Sequence, residues 1–324
     1  MRCLLLTTIA VGALCACGPD QPSWAVSRQH IEGGSPSEHS GVVQLSVDRP
    51  RQACSAVLIA PYLVLTARHC VSPRVTPEGG GVRCGFTPFL DRADDASLLL
   101  SSGATTSSAQ PLPAVSEVVF APGTADFCDN DLVLLVLAED VPANQATPLE
   151  PSLDAPVLRA QPYTAVGYGA VNDAAVGSGV RRERGALPVF CVGGECGVPD
   201  VGPREWQGET AICVGDSGGP ALDSSLQVIG IASRSAYQCS SPVYASVGAH
   251  AAWLRAEAVR VAQARGLTPV RWASPPPEFP PPDTDVVSRP TGCSSTGCPT
   301  LWPMGWLCGL CVALRRPRLR RERT

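Results

Sequence analysis

Short apolar, β-branched runs separated by turn residues recur over residues 31–268, and this pattern constrains the fold more than any other feature. Glycine and proline are both abundant, at 31 and 32 residues, which favours a turn-rich β protein over a helical bundle. We predict an all-β barrel or sandwich, followed by one helix over about residues 249–265, where apolar residues recur at helical spacing. The predicted strands include residues 42–47, 56–59, 63–66, 132–137, 163–166, 228–233 and 243–247.

The composition narrows the class of partner. All 25 basic residues are arginine, and six of them fall in residues 315–324, so the rest of the chain is more acidic than its net charge of −4 suggests. No basic face interleaved with aromatic residues is visible, and we therefore expect no nucleic-acid partner. At 324 residues, with 44% hydrophobic residues, the chain can bury a sizeable core.

The cysteine pattern indicates an oxidising compartment. Eight of the 15 cysteines lie within residues 31–274, an even number that suits disulfides. A metal-rich intracellular protein is the alternative, but this region has no Cys-x-x-Cys pair with matching histidines or a second such pair. We therefore predict a disulfide-bonded, secreted protein without a metal site.

The first 17 residues have the charged start and short apolar core of a secretory signal. The apolar part is shorter than the roughly 20 residues that a membrane-spanning helix needs. It ends Leu14-Cys15-Ala16-Cys17, which resembles a bacterial lipoprotein signal with Cys17 as the lipidated residue, while ordinary cleavage near Ala16 is the alternative. Residues 18–30 form a short polar stretch, too small to fold alone.

The C-terminal part differs in composition from the rest. Residues 269–291 form a proline-rich linker, because proline runs are extended and semi-rigid. Residues 292–324 contain cysteines, an apolar stretch over 301–314 and the arginine cluster. This order resembles the C-terminal sorting tails of myxobacterial surface proteins, which are recognised and cut during surface display. A plain tail anchor is the alternative.

Three sequence motifs carry residues suited to nucleophilic catalysis. His69 ends a β-like run beside a cysteine and is one of only four histidines, which makes it a candidate general base. Asp131 opens the apolar run of residues 132–137, where a carboxylate needs a partner such as an imidazole. Ser217 lies in Gly215-Asp216-Ser217-Gly218-Gly219-Pro220, whose small residues permit a sharp turn and close approach of a substrate.

Each motif alone has an ordinary structural explanation: a solvated histidine, a strand cap or a glycine turn. Together, in the order His, Asp, Ser, they resemble the signature blocks of trypsin-like (chymotrypsin-fold) serine proteases. Residues 31–34, 166–169, 230–233, 243–247 and 253–254 extend this resemblance to about two-thirds of the chain.

The resemblance implies two packed six-stranded antiparallel Greek-key β-barrels with a C-terminal helix, in a protease domain of residues 31–268. It also implies a serine endopeptidase in which Ser217 attacks the peptide, His69 transfers protons and Asp131 orients the histidine. The backbone N–H groups of Gly215 and Ser217 would hold the oxyanion.

The resemblance further implies an activation switch. Cleavage before Ile31 would free an α-amino group that pairs with Asp216 and shapes the oxyanion-binding turn, and residues 18–30 would be a propeptide. It implies the disulfides Cys54–Cys70 and Cys213–Cys239. The other four cysteines allow three connectivities, of which we favour Cys84–Cys128 and Cys191–Cys196.

Several positions depart from the family pattern. Arg68 stands where the family has alanine, so its charge is expected to reach solvent or a carboxylate. His30 precedes Ile31, which argues against activation by a trypsin-like cut. Ala211 occupies the base of the specificity pocket in place of aspartate, so preference for arginine or lysine is not expected. Ser233 and Ser235 on the wall, with Pro242, predict a shortened pocket for a small or medium apolar side chain.

Three functions are compatible with these features. An active, surface-displayed endopeptidase is favoured because all three catalytic positions are occupied; an inactive binding module and a surface anchor with a protease-like spacer are the alternatives. No cofactor is predicted. The expected partners are polypeptide substrates, a processing protease and a sorting enzyme. We expect a monomer that is secreted or held at the bacterial cell envelope through its termini.

Overall fold

A computed structural model describes residues 34–48, 52–75, 81–92, 97–171, 177–198, 200–236 and 239–274. The predicted signal, propeptide and sorting segments lie outside these residues, as do Cys17 and Ile31, and the predictions about them remain predictions. Among the described helices, none has the length and apolar character needed to cross a membrane.

Fourteen described strands form two antiparallel sheets, one from β2–β8 and one from β9–β14 together with β1. The strands are β1 Ser35–Pro36, β2 Val42–Val47, β3 Gln52–Ala60, β4 Leu63–Thr66, β5 Leu98–Ser102, β6 Gln110–Pro111, β7 Val115–Phe120, β8 Val133–Leu137, β9 Pro162–Gly167, β10 Arg182–Val192, β11 Glu205–Gly208, β12 Pro220–Leu222, β13 Val228–Arg234 and β14 Val243–Ser246. All seven strands predicted from the sequence are present.

The two sheets close to different degrees. The N-terminal sheet has the order β6-β5-β2-β3-β4-β8-β7 and curls into a half-barrel, and no pairing among the described residues joins its two edges. The C-terminal sheet has the order β1-β10-β11-β14-β13-β12-β9, and pairing of β9 with β10 closes six of its strands into a barrel. The predicted fold of two packed antiparallel barrels with a C-terminal helix is confirmed, with the first barrel left open.

The cores differ in composition. Aliphatic residues fill the N-terminal core; β8, for example, is buried along its whole length because it lies between β4 and β7. In the closed barrel, aromatic rings supply the bulk: Trp206 stacks on Tyr244 at 4.2 Å between centroids, and Tyr163 packs edge-on against Trp206 at 5.0 Å. Such aromatic pairs stabilise a core by more than the burial of their apolar surface alone would give.

The predicted helix spans Ala251–Ala264 and is denoted α1. It buries Leu254, Ala258, Val261 and Ala262, whose spacing puts them on one face, against the same core cluster as the N-terminal sheet. Packed structure continues past the predicted start of the linker at residue 269. A 3-10 turn spans Arg271–Ala273, and the Trp272 indole donates to the Ile59 carbonyl at 3.0 Å.

Candidate active site

Two of the three sequence motifs, those of His69 and Ser217, line one cleft of about 640 Å³, and Asp131 is buried in contact with His69. His69 comes from the 3-10 turn Arg68–Cys70 that follows β4 of the first sheet. Ser217 comes from the loop before β12 of the second sheet. The cleft therefore combines side chains that follow strands of both sheets.

Asp131 holds His69 through two contacts. Its Oδ1 accepts the backbone N–H of His69 at 2.8 Å, and its Oδ2 lies 2.8 Å from His69 Nδ1. The carboxylate thus fixes both the backbone and the ring. With Nδ1 carrying the proton towards Asp131, Nε2 is left as the basic nitrogen.

Asp131 remains an acceptor although it is fully buried. Burial favours its neutral form, but the charge of His69 and the hydrogen bonds from His69 and Ser233 together hold the pKa of Asp131 below its ordinary value. The Ser233 hydroxyl donates to Asp131 Oδ2 at 2.6 Å. Ser233, predicted only as a pocket residue, therefore also positions the carboxylate.

The loop around Ser217 is fixed by short backbone contacts. The Ser217 carbonyl accepts from Ser55 N–H at 2.8 Å, and Gly218 N–H donates to the Ala232 carbonyl at 2.7 Å. Gly218 has φ +83° and packs against Thr66 and Ser55, so a Cβ there would collide with both. The glycine is required because a side chain would force the serine away from the first sheet.

Two backbone donors in this loop are free to bind a ligand. Among the described residues, neither Gly215 N–H nor Ser217 N–H has an acceptor. The described contacts also include no hydrogen bond between Ser217 Oγ and His69 Nε2. Such bonds often form well only when substrate is bound.

Asp216 is buried next to the nucleophile. Its Oδ1 accepts Gly169 N–H at 2.7 Å, and its Oδ2 accepts Cys213 N–H at 2.9 Å. Burial raises the pKa of Asp216 to about 7, although the two hydrogen bonds and the charge of Arg182 act in the other direction. Gly167 and Gly169 make room for this carboxyl group, since a Cβ on either would collide with it.

Two of the four predicted pocket residues line the cleft. Ser233 and Ser235 lie on its wall. Ala211 is fully buried in the aromatic core of the closed barrel, and Pro242 is buried with its carbonyl accepting Gly208 N–H at 3.0 Å. Core packing thus covers the predicted base of the pocket in this structure.

An ion pair that the sequence did not reveal supports the same wall. The Arg234 guanidinium forms two contacts with Glu205, Nη1 to Oε1 at 2.8 Å and Nη2 to Oε2 at 2.6 Å, and Glu205 is fully buried. Burial alone would lower the pKa of Arg234, but Glu205 raises it above its ordinary value. A glutamate at the start of a strand was the only signal, and its partner lies 29 positions away.

Arg68 is half-buried and has contacts that the sequence did not predict. Its guanidinium carbon lies 4.2 Å from the centroid of Phe89 and 4.6 Å from that of Phe120, and Nη1 is 3.5 Å from the Thr124 carbonyl. Of the two expected partners, solvent or a carboxylate, no carboxylate forms an ion pair with Arg68 among the described residues. The two rings serve instead, because an aromatic face attracts a cation.

Four disulfides connect the eight described cysteines: Cys54–Cys70, Cys84–Cys128, Cys191–Cys196 and Cys213–Cys239. The first lies beside His69 and the last beside the Ser217 loop. Two clusters of the described residues contain side chains that often bind metals. One is Cys54, His69 and Cys70, and the other is Cys84, Cys128 and Glu205. The cysteines of both clusters are in disulfides, so their sulfur atoms cannot act as thiolate ligands.

Comparison with known proteins agrees with this geometry. The model of the family described as Trypsin matches residues 31–254. A solved structure described as the atomic-resolution structure of HBP matches with a TM-score of 0.53 and 20% identity, covering 69% of this chain and 95% of that one. At this identity the likeness shows the fold alone. No curated protein matches the sequence.

The two β-barrel-like sheets, with a histidine and a serine at one cleft and an aspartate buried against the histidine, define the class of two-barrel serine endopeptidases. The family match covers more than half of the sequence, and the chain accordingly belongs to the trypsin family.

Proposed function

We propose that the protein is a secreted or surface-displayed endopeptidase that hydrolyses peptide bonds through an acyl-enzyme on Ser217. The observation that carries the proposal is the two-point contact of Asp131 with His69 at the edge of the Ser217 cleft. This contact leaves Nε2 of His69 as a base on the side of the cleft where the serine lies.

The proposed chemistry follows from these groups. His69 Nε2 removes the Ser217 proton as the oxygen attacks the peptide carbonyl, and the N–H groups of Gly215 and Ser217 bind the oxyanion. The protonated histidine then donates its proton to the leaving amine. Water, activated by the same nitrogen, hydrolyses the acyl-enzyme. Asp131 stabilises the imidazolium in both steps.

The enzyme is proposed to be made as a zymogen with residues 18–30 as propeptide. Asp216 supports this idea, because its buried carboxyl group forms no ion pair with a described residue. An α-amino group freed at Ile31 would supply the missing cation. Because His30 precedes this bond, a processing protease other than a trypsin-like one is expected to cut it.

Specificity for arginine or lysine is not expected. The described residues that line the cleft include Arg74 and Arg234 but no carboxylate side chain. The disulfides support secretion, since such bonds persist in oxidising compartments. We propose that the monomeric enzyme is held at the bacterial cell envelope through its termini, by lipidation at Cys17 or by a sorting enzyme acting on residues 292–324.

The direct test uses a variant in which the recognition sequence of a site-specific protease is placed immediately before Ile31, so that Ile31 can be exposed on demand. The peptidase activity of this variant is then measured. Cleavage of an unfolded protein substrate should appear after Ile31 is exposed and be lost in Ser217→Ala. Ser225→Ala is the matched control, because this exposed serine lies in a turn away from the cleft. A well-folded, processed protein that cleaves no substrate would instead support the binding-module alternative.

A further inference from the structure

Arg74 lines the same cleft as His69 and Ser217 but has no role in the chemistry above. Its backbone is held by an antiparallel bridge to Phe89. The neighbouring Val75 N–H donates to the Pro88 carbonyl at 3.0 Å. The position of Arg74 in the wall is therefore set by the fold.

The guanidinium of Arg74 lacks a carboxylate partner among the described residues. Its Nη1 is buried without a hydrogen-bond acceptor, and no ion pair joins Arg74 to any carboxylate in the described part of the chain. The Phe127 ring, 5.7 Å from the guanidinium carbon, is its aromatic neighbour. Burial lowers the pKa of Arg74, with the charge of Asp131 opposing this change and that of Arg234 adding to it.

The other charged groups at the cleft are already neutralised. Arg234, whose guanidinium carbon lies 5.5 Å from the same Phe127 ring, is paired with Glu205. Asp131 is engaged by His69 and Ser233. Arg74 is left as the one unbalanced charge among the described residues that line the cleft. A carboxylate that a ligand brings to the guanidinium would balance this charge.

We infer that Arg74 is a specificity-determining residue that binds the carboxylate of an acidic side chain in the peptide substrate. The planar guanidinium suits a carboxylate because two N–H groups can contact its two oxygens. The acidic residue would lie on the His69 side of the cleft, close to the bond that is cut. This inference rests on the proposed function and adds a substrate class to it.

The test uses peptide pairs that differ only by Asp against Asn, or Glu against Gln, at each position flanking one scissile bond. We expect the processed wild-type protein to prefer the acidic peptide by about tenfold or more in kcat/KM at one position. Arg74→Gln should abolish this ratio, and Arg74→Lys should retain part of it. The ratio is measured on one sample of enzyme, so the fraction folded does not affect it.

Arg83→Gln is the matched control, because Arg83 is an exposed arginine on a nearby segment that does not line the cleft. It should keep the wild-type ratio. Added salt should reduce the preference of the wild type but not the residual ratio of Arg74→Gln. An equal ratio in wild type and Arg74→Gln at every position would overturn the inference.

A fluorophosphonate probe separates this failure from failure of the proposed function. If the probe labels Ser217 and the protein cleaves acidic and neutral peptides at equal rates, the proposed function stands and the role of Arg74 is refuted. A processed protein that neither reacts with the probe nor cleaves any peptide refutes both.

Discussion

The buried Asp216 carboxyl group predicts a dependence of stability on pH that processing should remove. Its pKa is raised from 3.8 to about 7 in the folded protein, so the fold binds a proton that the unfolded chain releases. The contribution of Asp216 is therefore most favourable below about pH 4 and is lost as the pH rises from about 4 to 7.

The size of this effect follows from the shift. A change from 3.8 to about 7 corresponds to roughly 4 kcal/mol lost from the free energy of unfolding by pH 8. Once Ile31 is freed, pairing with its α-amino group should lower the pKa of Asp216 and restore most of this loss. The free energy of unfolding should thus fall more between pH 4 and pH 8 in the unprocessed protein than in the processed protein.

Urea denaturation measures this effect in Ser217→Ala protein, which cannot digest itself. Asp216→Asn, added to the same background, is the reference, because asparagine keeps the shape of the side chain but does not titrate in this range. The free energy of unfolding is compared between the proteins with and without Asp216→Asn. Before processing, this difference should change by roughly 4 kcal/mol between pH 4 and pH 8. After processing, it should change by much less. A difference that stays constant within about 1 kcal/mol before processing would refute the reasoning.

Three further changes test other parts of the structure. Glu205→Gln should lower the free energy of unfolding by about 3–5 kcal/mol, because it leaves the buried Arg234 charge unpaired, and a loss below about 1 kcal/mol in urea denaturation would contradict this. Asp131→Asn should lower kcat about a thousandfold or more, since His69 loses the acceptor that sets its tautomer; steady-state kinetics showing less than a tenfold loss would speak against this role. Replacing Cys84 and Cys128 by alanine opens a loop of 44 residues and should destabilise the protein by about 4 kcal/mol in the same assay, with an unchanged midpoint as the contrary result.

Much of the fold was predictable because its signals are local. The run from Val133 to Leu137 is buried along its length and lies where the apolar sequence predicted a strand. Gly218 and the two glycines around Tyr168 mark places where another part of the chain approaches too closely for a side chain. Apolar runs and glycines of these kinds can be recognised in the local sequence, without knowledge of distant residues.

The features that escaped prediction depend on distant partners. Glu205 and Arg234 are separated by 29 positions, and nothing in either neighbourhood identifies the other. The contacts of half-buried Arg68 with the aromatic faces of Phe89 and Phe120 were not predicted, because only the folded chain brings these residues together. Ala211 was predicted at the base of the specificity pocket, and its burial in the core of the closed barrel also depends on residues distant in the sequence.

The central claim is that Ser217 is an activated nucleophile in the processed protein, and mass spectrometry of the fluorophosphonate adduct tests it most directly. We expect one adduct on Ser217 that forms after Ile31 is exposed, is slowed strongly in Asp131→Asn and is absent in Ser217→Ala. A folded, processed protein that forms no adduct, or forms one equally fast without Asp131, would contradict the account.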